Sequence, residues 1–200
     1  MTYHLREKTG RIIEKLIISA LSMEMPEFPC YRVDISHSGE SLVSRFIQLR
    51  PNQNWLLLAD YAAQSQQQLW TAWLLTRRAF LQKRALARSI DAEFLRYIAG
   101  THHVSEAFRK VGINDTQKHA WIIYLPEYEI VEGEITPTNW SNETNEILDH
   151  LVTELSLRTA PGTPKLSIEG LKILGLEIDK LSELTNDSLV AHTISTDLNS

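Results

Sequence analysis

The sequence predicts an α/β (α+β) fold, in which a small central mixed or antiparallel sheet is covered by several helices in a single domain. Three short segments have the composition of strands, and the longer segments between them carry apolar residues at helical spacing. The predicted strands are CYRVDISH (30–37), NWLLLADY (54–61) and HAWIIYL (119–125). Because strands and helices interleave along 200 residues, one layered domain around one core is the expected architecture.

Each predicted strand has its own signature. The first alternates polar and apolar residues between Pro29 and Gly39. The second is a continuous apolar run, which is typical of a strand buried on both faces. The third is rich in β-branched and aromatic residues and ends before Pro126.

Helices are predicted where apolar residues recur at helical spacing and capping residues flank them. Ser89 precedes one such segment, and Gly100 and Gly112 end two of them. The segment 127–141 is predicted to be an acidic loop or an edge strand. The predicted helices are 38–49, 62 to about 86, 90–99, 104–111, 142–155 and 167–181.

Composition sets the expected limits of the domain at residues 26–183. Residues 1–25 carry Ile13, Leu16, Ile17 and Leu21 at helical spacing and are predicted to form an N-terminal helical extension. Residues 184–200 have no sustained apolar stripe, so a disordered tail is predicted there.

The formal net charge is −5, but the charged residues are unevenly distributed. Residues 61–90 contain five basic side chains and no acid, whereas residues 126–200 contain fourteen acids and four bases. An acid-free segment of that length indicates a local anionic partner, although a solvated helix face is the alternative interpretation. The five basic residues are Arg77, Arg78, Lys83, Arg84 and Arg88.

The cysteine count and the hydropathy of the sequence limit the cellular compartments in which we expect the protein. Cys30 is the one cysteine, which excludes an internal disulfide and a cysteine-based zinc cage. The apolar run from Leu16 to Leu21 is too short to span a bilayer. We therefore expect a cytoplasmic protein, or a nuclear one in a eukaryote, with no membrane partner.

The common catalytic motifs are absent from the sequence. It has no Gly-rich phosphate loop, no dinucleotide-binding glycine pattern, no G-x-S-x-G elbow and no H-E-x-x-H pair. These absences do not exclude an enzyme, but they remove the usual routes to one, and the sequence itself has no pattern that indicates a catalytic residue, a cofactor or a small-molecule substrate.

The adjacent His102 and His103 raise the question of a metal site. On a helix they would point about 100° apart, so they do not easily hold one metal together. Either shares a face with Glu106, but a third ligand would have to come from His119 or His37. We expect partly exposed histidines at a helix start, where a neutral imidazole can contact a nucleotide, with no bound metal.

The order of predicted elements, together with the segment FLRYIAGTHHVSEAFRKVGI (94–113), resembles one family. This family is the small PRPK-binding-protein-like (TPRKB-like) subunit of the KEOPS tRNA-modification complex, and the resemblance covers roughly residues 29–125 and more loosely the helix to about 181. The residues that fit the family pattern are Glu93-Phe94-Leu95, Ala99-Gly100, Ala107-Phe108 and Gly112.

The resemblance implies a non-catalytic subunit that docks on the kinase-like ATPase of the complex. It also implies binding of the single-stranded 3′ CCA end of tRNA, which recruits substrate for threonylcarbamoyladenosine synthesis by another subunit. The residues expected to face tRNA are Lys83, Arg84, Arg88, Gly100, His102 and His103. The residues expected to contact the ATPase are Phe94, Tyr97, Ile98 and Phe108.

The chain departs from the family pattern at His102-His103-Val104, where the family has Arg-Gln-Ile. An arginine is a permanent cation, whereas a histidine is mostly neutral at pH 7, so phosphate binding at this turn is expected to be weaker or pH-dependent. Two alternatives stay open: a metal-dependent hydrolase that uses the His102/His103 region, and a protein-interaction module without RNA binding.

Overall fold

The computed structural model describes residues 26–36, 41–114, 116–140, 142–176 and 186–198. The predicted helix over 1–25 and the candidate ligand His37 lie outside the described residues. Within the described part of the chain, no helix is long and apolar enough to cross a membrane.

A four-stranded antiparallel sheet forms the centre of the domain, in the order β2-β3-β1-β6. The three predicted strands are present and form its first three members. A separate two-stranded antiparallel sheet consists of β4 and β5. The strands are β1 (Cys30–Asp34), β2 (Trp55–Ala59), β3 (His119–Tyr124), β4 (Tyr128–Val131), β5 (Glu134–Pro137) and β6 (Arg158–Thr159).

Seven α-helices are described around the sheet, and a short 3₁₀ turn (Asp60–Ala62) follows β2. The predicted α/β (α+β) fold is therefore confirmed, and the sheet is antiparallel throughout its described pairs. The helices are α1 (Leu42–Leu49), α2 (Gln66–Leu81), α3 (Ile90–Ala99), α4 (Val104–Val111), α5 (Asn142–Glu154), α6 (Ile168–Leu174) and α7 (Asn186–Leu198).

The sheet has a core on each face because successive side chains of a strand point to opposite sides. On β2, Leu56 and Leu58 belong to the core shared with α2 and α3. Trp55 and Leu57 belong to the second core, shared with α1 and α5. This arrangement explains the continuous apolar run of β2, whose residues are all buried.

The long helix predicted to reach about residue 86 ends at Leu81, because the chain there forms a Schellman turn. The amide of Lys83 donates to the carbonyl of Phe80, and the amide of Arg84 donates to the carbonyl of Ala79. Lys83 occupies the left-handed position of this turn, with φ of 56°. Lys83, Arg84 and Arg88 therefore lie on a loop and not on a helix face.

The C-terminal region also differs from the prediction. Residues 186–198, predicted to be part of a disordered tail, form α7, which packs against α2 and α3. Ile194 of this helix packs against the main core, and Leu189 is buried with Leu171 of α6. The apolar residues of this helix form only a weak stripe in the sequence, and most of the stability of such a helix comes from its packing against the rest of the domain. The helix predicted over 167–181 ends at Leu174, where Gly175 adopts a left-handed conformation.

A buried ion pair within α3 connects the two segments that flank this helix. The carboxylate of Glu93 accepts hydrogen bonds from Nε and Nη2 of Arg96 at 3.1 and 2.8 Å, and from the amide of Ala87 at 2.8 Å. Arg96 Nη1 donates to the carbonyl of Thr101 at 2.7 Å. The pair thus fixes the 82–88 loop before α3 and the 100–103 turn after it.

We expect Arg96→Met to lower the free energy of unfolding by about 3–5 kcal/mol, because the substitution leaves the Glu93 carboxylate buried without its cation. Chemical denaturation followed by circular dichroism would measure the loss. The matched control is Arg109→Met on the exposed surface of α4, which should change stability by no more than about 0.5 kcal/mol. Equal effects of the two substitutions would contradict the role given to the pair.

Candidate functional site

The loop formed by residues 82–88, here called the basic loop, presents three cations to solvent. Lys83, Arg84 and Arg88 are all exposed, and none of them forms an ion pair with another described residue. Two exposed apolar side chains, Leu81 and Leu86, lie on either side of the first two cations in sequence, and Leu86 is 51% exposed. The loop therefore offers both positive charge and apolar surface to a ligand.

Arg77, which the sequence placed in the same basic run, is a structural residue. Its guanidinium is buried and donates to the carbonyls of Leu125 and Pro126 at 2.8 and 2.6 Å. Burial lowers the pKa of Arg77, and the nearby Glu127 carboxylate opposes that effect. Arg77 joins α2 to the chain after β3, so it does not add to the basic surface.

The turn from Gly100 to His103 is held by its own side chains and by α4. Thr101 Oγ1 donates to the Glu106 carboxylate at 2.6 Å and accepts from the amide of His103 at 3.2 Å. Lys110 pairs with the other oxygen of Glu106 at 3.1 Å. The hydrogen bond from Thr101, and then that from Lys110, lower the pKa of Glu106. The turn is thus a rigid connection between α3 and α4.

The two histidines of the turn differ in exposure. His102 is half-buried and His103 is exposed at the N-cap position of α4. Within the described ranges, which include the candidates His102, His103, Glu106 and His119, no three His, Cys, Asp or Glu side chains lie together so that they could hold a metal ion. The metal-dependent alternative therefore finds no ligand cluster in this part of the chain.

Gly100, which is predicted to face tRNA, is partly exposed, and the imidazole of His192 from α7 packs against it. It has a left-handed φ of 64°, and a Cβ built on it would overlap the imidazole of His192 from α7. Nε2 of that imidazole is buried and has no hydrogen-bond partner among the described residues. Gly100 is thus required by the helix end and by the packing of α7. No pattern in the sequence predicts this contact between Gly100 and His192.

Three of the four residues predicted to contact the kinase-like ATPase are buried. Phe94, Tyr97 and Ile98 belong to the core between α2, α3 and the sheet, so they offer no surface to a partner. Only Phe108, on α4, is exposed among the four. A helix that is packed on several sides carries apolar residues all around, so its apolar stripe does not mark an outer face.

An exposed apolar pair on α1 was missed by the sequence analysis. Val43 and Ile47 are one helical turn apart, and Ile47 is 53% exposed. Leu42 and Phe46 of the same helix are buried in the second core. The sequence does contain a signal for this pair, because the apolar residues of α1 are spread over a wider arc of the helix than the face that packs on the second core.

Comparison with known protein families identifies one match. A family model described as kinase binding protein CGI-121 matches residues 34–158, which are 125 of the 200 residues. The matched range contains α1, the basic loop and the turn from Gly100 to His103, and it ends before α6 and α7. No curated protein matches the sequence.

We expect the docking of α7 to weaken as the pH falls below about 6.5. Burial, and then the nearby Lys110 cation, lower the pKa of His192 below its usual value of 6.5, while its hydrogen bond to the backbone of Leu174 opposes the shift. The docked state therefore binds fewer protons than the undocked state. The stabilisation is fully present above pH 6.5 and is lost as the pH falls through the lowered pKa.

Hydrogen exchange of the α7 amides, corrected for intrinsic rates, would measure this dependence. His192→Gln should flatten the pH response, whereas His103→Gln at the exposed turn should leave it unchanged. The expectation would be contradicted if, in the unsubstituted chain, the α7 amides were equally protected from exchange above pH 6.5 and below the lowered pKa of His192.

Proposed function

The chain belongs to the CGI-121 family of kinase-binding proteins, and on that premise we propose that it is a non-catalytic KEOPS subunit that docks on a kinase-like ATPase and recruits tRNA by its 3′ end. The observation that carries the RNA part is the basic loop, where three exposed cations have no ionic partner among the described residues. The ATPase would supply the chemistry, and this chain would supply binding surfaces.

Lys83 supports a binding role for the basic loop because of its backbone conformation. The position it occupies in a Schellman turn is usually a glycine, and a residue with a Cβ there costs about 1 kcal/mol. Two of the comparable helix ends in this chain, at Gly100 and Gly175, do have glycine. A lysine at a position where glycine would be more stable is consistent with selection for its charge.

The apolar residues of the basic loop fit the single-stranded character of the proposed ligand. Phosphates would be bound by Lys83, Arg84 and Arg88, because cations give affinity without sequence preference. Unstacked terminal bases need apolar or aromatic surface, which Leu81 and Leu86 provide next to the cations. Duplex RNA would expose no such bases.

The turn of His102 and His103 would contribute a second, weaker contact. His103 is exposed and, when neutral, can donate or accept one hydrogen bond to a base or a ribose. Gly100 is partly exposed and would contribute only backbone groups to this contact, with the imidazole of His192 packed against it. The two segments lie at opposite ends of α3, and the pair of Glu93 and Arg96 fixes both.

The kinase-binding surface is proposed to include α1. Val43 and Ile47 are exposed on one face of this helix, which lies inside the range that the family model matches. An apolar patch of this kind with a polar rim is typical of a protein interface. Phe108 is the remaining candidate from the sequence, and it is exposed on α4, the helix that follows the proposed RNA turn.

We expect Lys83→Gly to weaken tRNA binding without any loss of stability. Glycine relieves the left-handed backbone, so the free energy of unfolding should stay equal or rise by up to about 1 kcal/mol, while one phosphate contact is lost. The double reversal Lys83→Glu with Arg84→Glu should weaken binding further and reduce its salt dependence. Filter binding or fluorescence anisotropy at two salt concentrations would measure both effects.

The matched control is Lys165→Glu with Lys172→Glu, which makes the same change of charge at exposed positions in and before α6. It should leave tRNA affinity nearly unchanged. Removal of the terminal CCA from tRNA should abolish binding to the unsubstituted chain. Equal binding of intact and trimmed tRNA would contradict 3′-end recognition, and no binding of either would leave a protein-interaction module.

We expect Val43→Ser with Ile47→Ser to weaken association with the kinase-like ATPase about tenfold or more, because two central apolar contacts of an interface are replaced by polar groups. Biolayer interferometry with the immobilised ATPase would measure the change. Ile173→Ser on α6 is the control, since it removes an exposed apolar side chain outside the matched range. An unchanged affinity of the α1 variant would place the interface elsewhere.

A further inference from the structure

The hairpin of β4 and β5 projects a short, rigid tip. Its two-residue turn consists of Glu132 and Gly133, which have φ values of 53° and 87°, as a type I′ turn requires. At the base of the hairpin, Tyr128 lies with its ring centroid 5.7 Å from the Arg77 guanidinium. Ile135, which pairs with Ile130 close to the turn, packs against the core. The tip is therefore preorganised, which lowers the entropy cost of binding through it.

The tip combines exposed apolar residues with unpaired acids. Ile130 is 57% exposed and Val131 is 46% exposed, and no other large apolar side chain among the described residues is more exposed than Ile130. Glu129, Glu132 and Glu134 are exposed around them and form no ion pair with another described residue.

The charge around the hairpin is unbalanced along the sequence as well. Residues 119–157 contain eight acids and no lysine or arginine. Such a surface repels phosphate, so it does not fit RNA or an anionic membrane. It fits a protein surface with exposed cations and apolar side chains.

The basic loop of the same chain has these properties. Lys83, Arg84 and Arg88 are three unpaired cations, matching in number the three unpaired acids of the tip, and Leu81 and Leu86 are exposed beside them. The two surfaces are not paired with each other within one molecule, since no salt bridge joins them.

We propose that the hairpin tip of one molecule binds the basic loop of a second copy of this chain. In a two-fold pair the contact is made twice, because each copy contributes one tip and one loop. A second copy is the favoured occupant because this chain carries both complementary surfaces, the acidic tip and the basic loop. Ile130 and Val131 point to opposite faces of the hairpin, so their apolar contacts would supply affinity on both sides of the tip. The charges would supply orientation and rate of association.

The pairing also has a consequence for RNA, and this consequence rests on the proposed function. A tip bound to the basic loop occupies the cations that would bind tRNA phosphates. Self-association and tRNA binding would then exclude each other, so the free chain would hold its RNA surface covered until tRNA competes for it.

Sedimentation velocity of the full chain across a range of concentrations, without RNA, tests the pairing. We expect a concentration-dependent shift from monomer to dimer that weakens as salt is raised. Glu132→Lys with Glu134→Lys should weaken the association about tenfold or more. The control is Glu146→Lys with Asp149→Lys, an equal change of charge at exposed positions of α5, which should leave it unchanged.

A charge exchange makes the test specific for the two surfaces. The variant Lys83→Glu/Arg84→Glu and the variant Glu132→Lys/Glu134→Lys should each be monomeric, but their mixture should form a dimer. In the mixed pair, one contact keeps its native charges and the other is restored with both charges reversed. Separately, Ile130→Ser with Val131→Ser should weaken the dimer without any change of charge.

A chain that stays monomeric at all protein and salt concentrations would overturn the proposal. If the unsubstituted chain dimerises but the mixture of the two charge-reversed variants does not, the proposal would be overturned as well. Neither result depends on tRNA, so the pairing and the proposed function fail separately. If the chain pairs as expected and also binds tRNA, added tRNA should convert dimer to monomeric complex. A ternary complex that keeps the dimer would overturn the competition.

Discussion

The buried pair of Glu93 and Arg96 is the interaction on which the geometry of the candidate surface depends. A carboxylate and a guanidinium inside a protein are stable only when their hydrogen bonds are satisfied, and here each also binds a backbone group outside its own helix. Glu93 holds the amide of Ala87, and Arg96 holds the carbonyl of Thr101. Two connecting segments that would otherwise move independently are thereby tied to one helix.

The sequence predicted most of the fold because its strands and amphipathic helices are strongly patterned. The antiparallel sheet and the positions of α1, α3 and α4 follow from alternation, helical spacing and glycine at helix ends. The end of α2 was not predictable, because the turn that ends it has Lys83 where a glycine would have marked it. The hairpin of β4 and β5 has a Glu-Gly turn, which is a weaker signal than Asn-Gly or Asp-Gly.

The candidate site was predicted less well, and for a different reason. Exposure is a property of tertiary packing, so sequence could not separate Phe94, Tyr97 and Ile98, which are buried, from Val43 and Ile47, which are not. The same holds for Gly100, whose neighbour His192 is 92 positions away in the chain. Charge patterns were more informative about exposure, because the charged residues Lys83, Arg84 and Arg88 lie exposed on a loop.

The length of α3 has a further consequence for what the surface can distinguish. A helix of ten residues is about 15 Å long, and the basic loop and the histidine turn are fixed at its two ends. Nucleotides rise by about 3.4 Å each when they are stacked, so a stacked strand needs about four of them to cover that distance, and an unstacked, more extended strand needs fewer. Under the proposed function, the fixed distance between the two ends of α3 selects ligands by length: a ligand contacts both ends only if its unpaired end spans about 15 Å, whatever its bases.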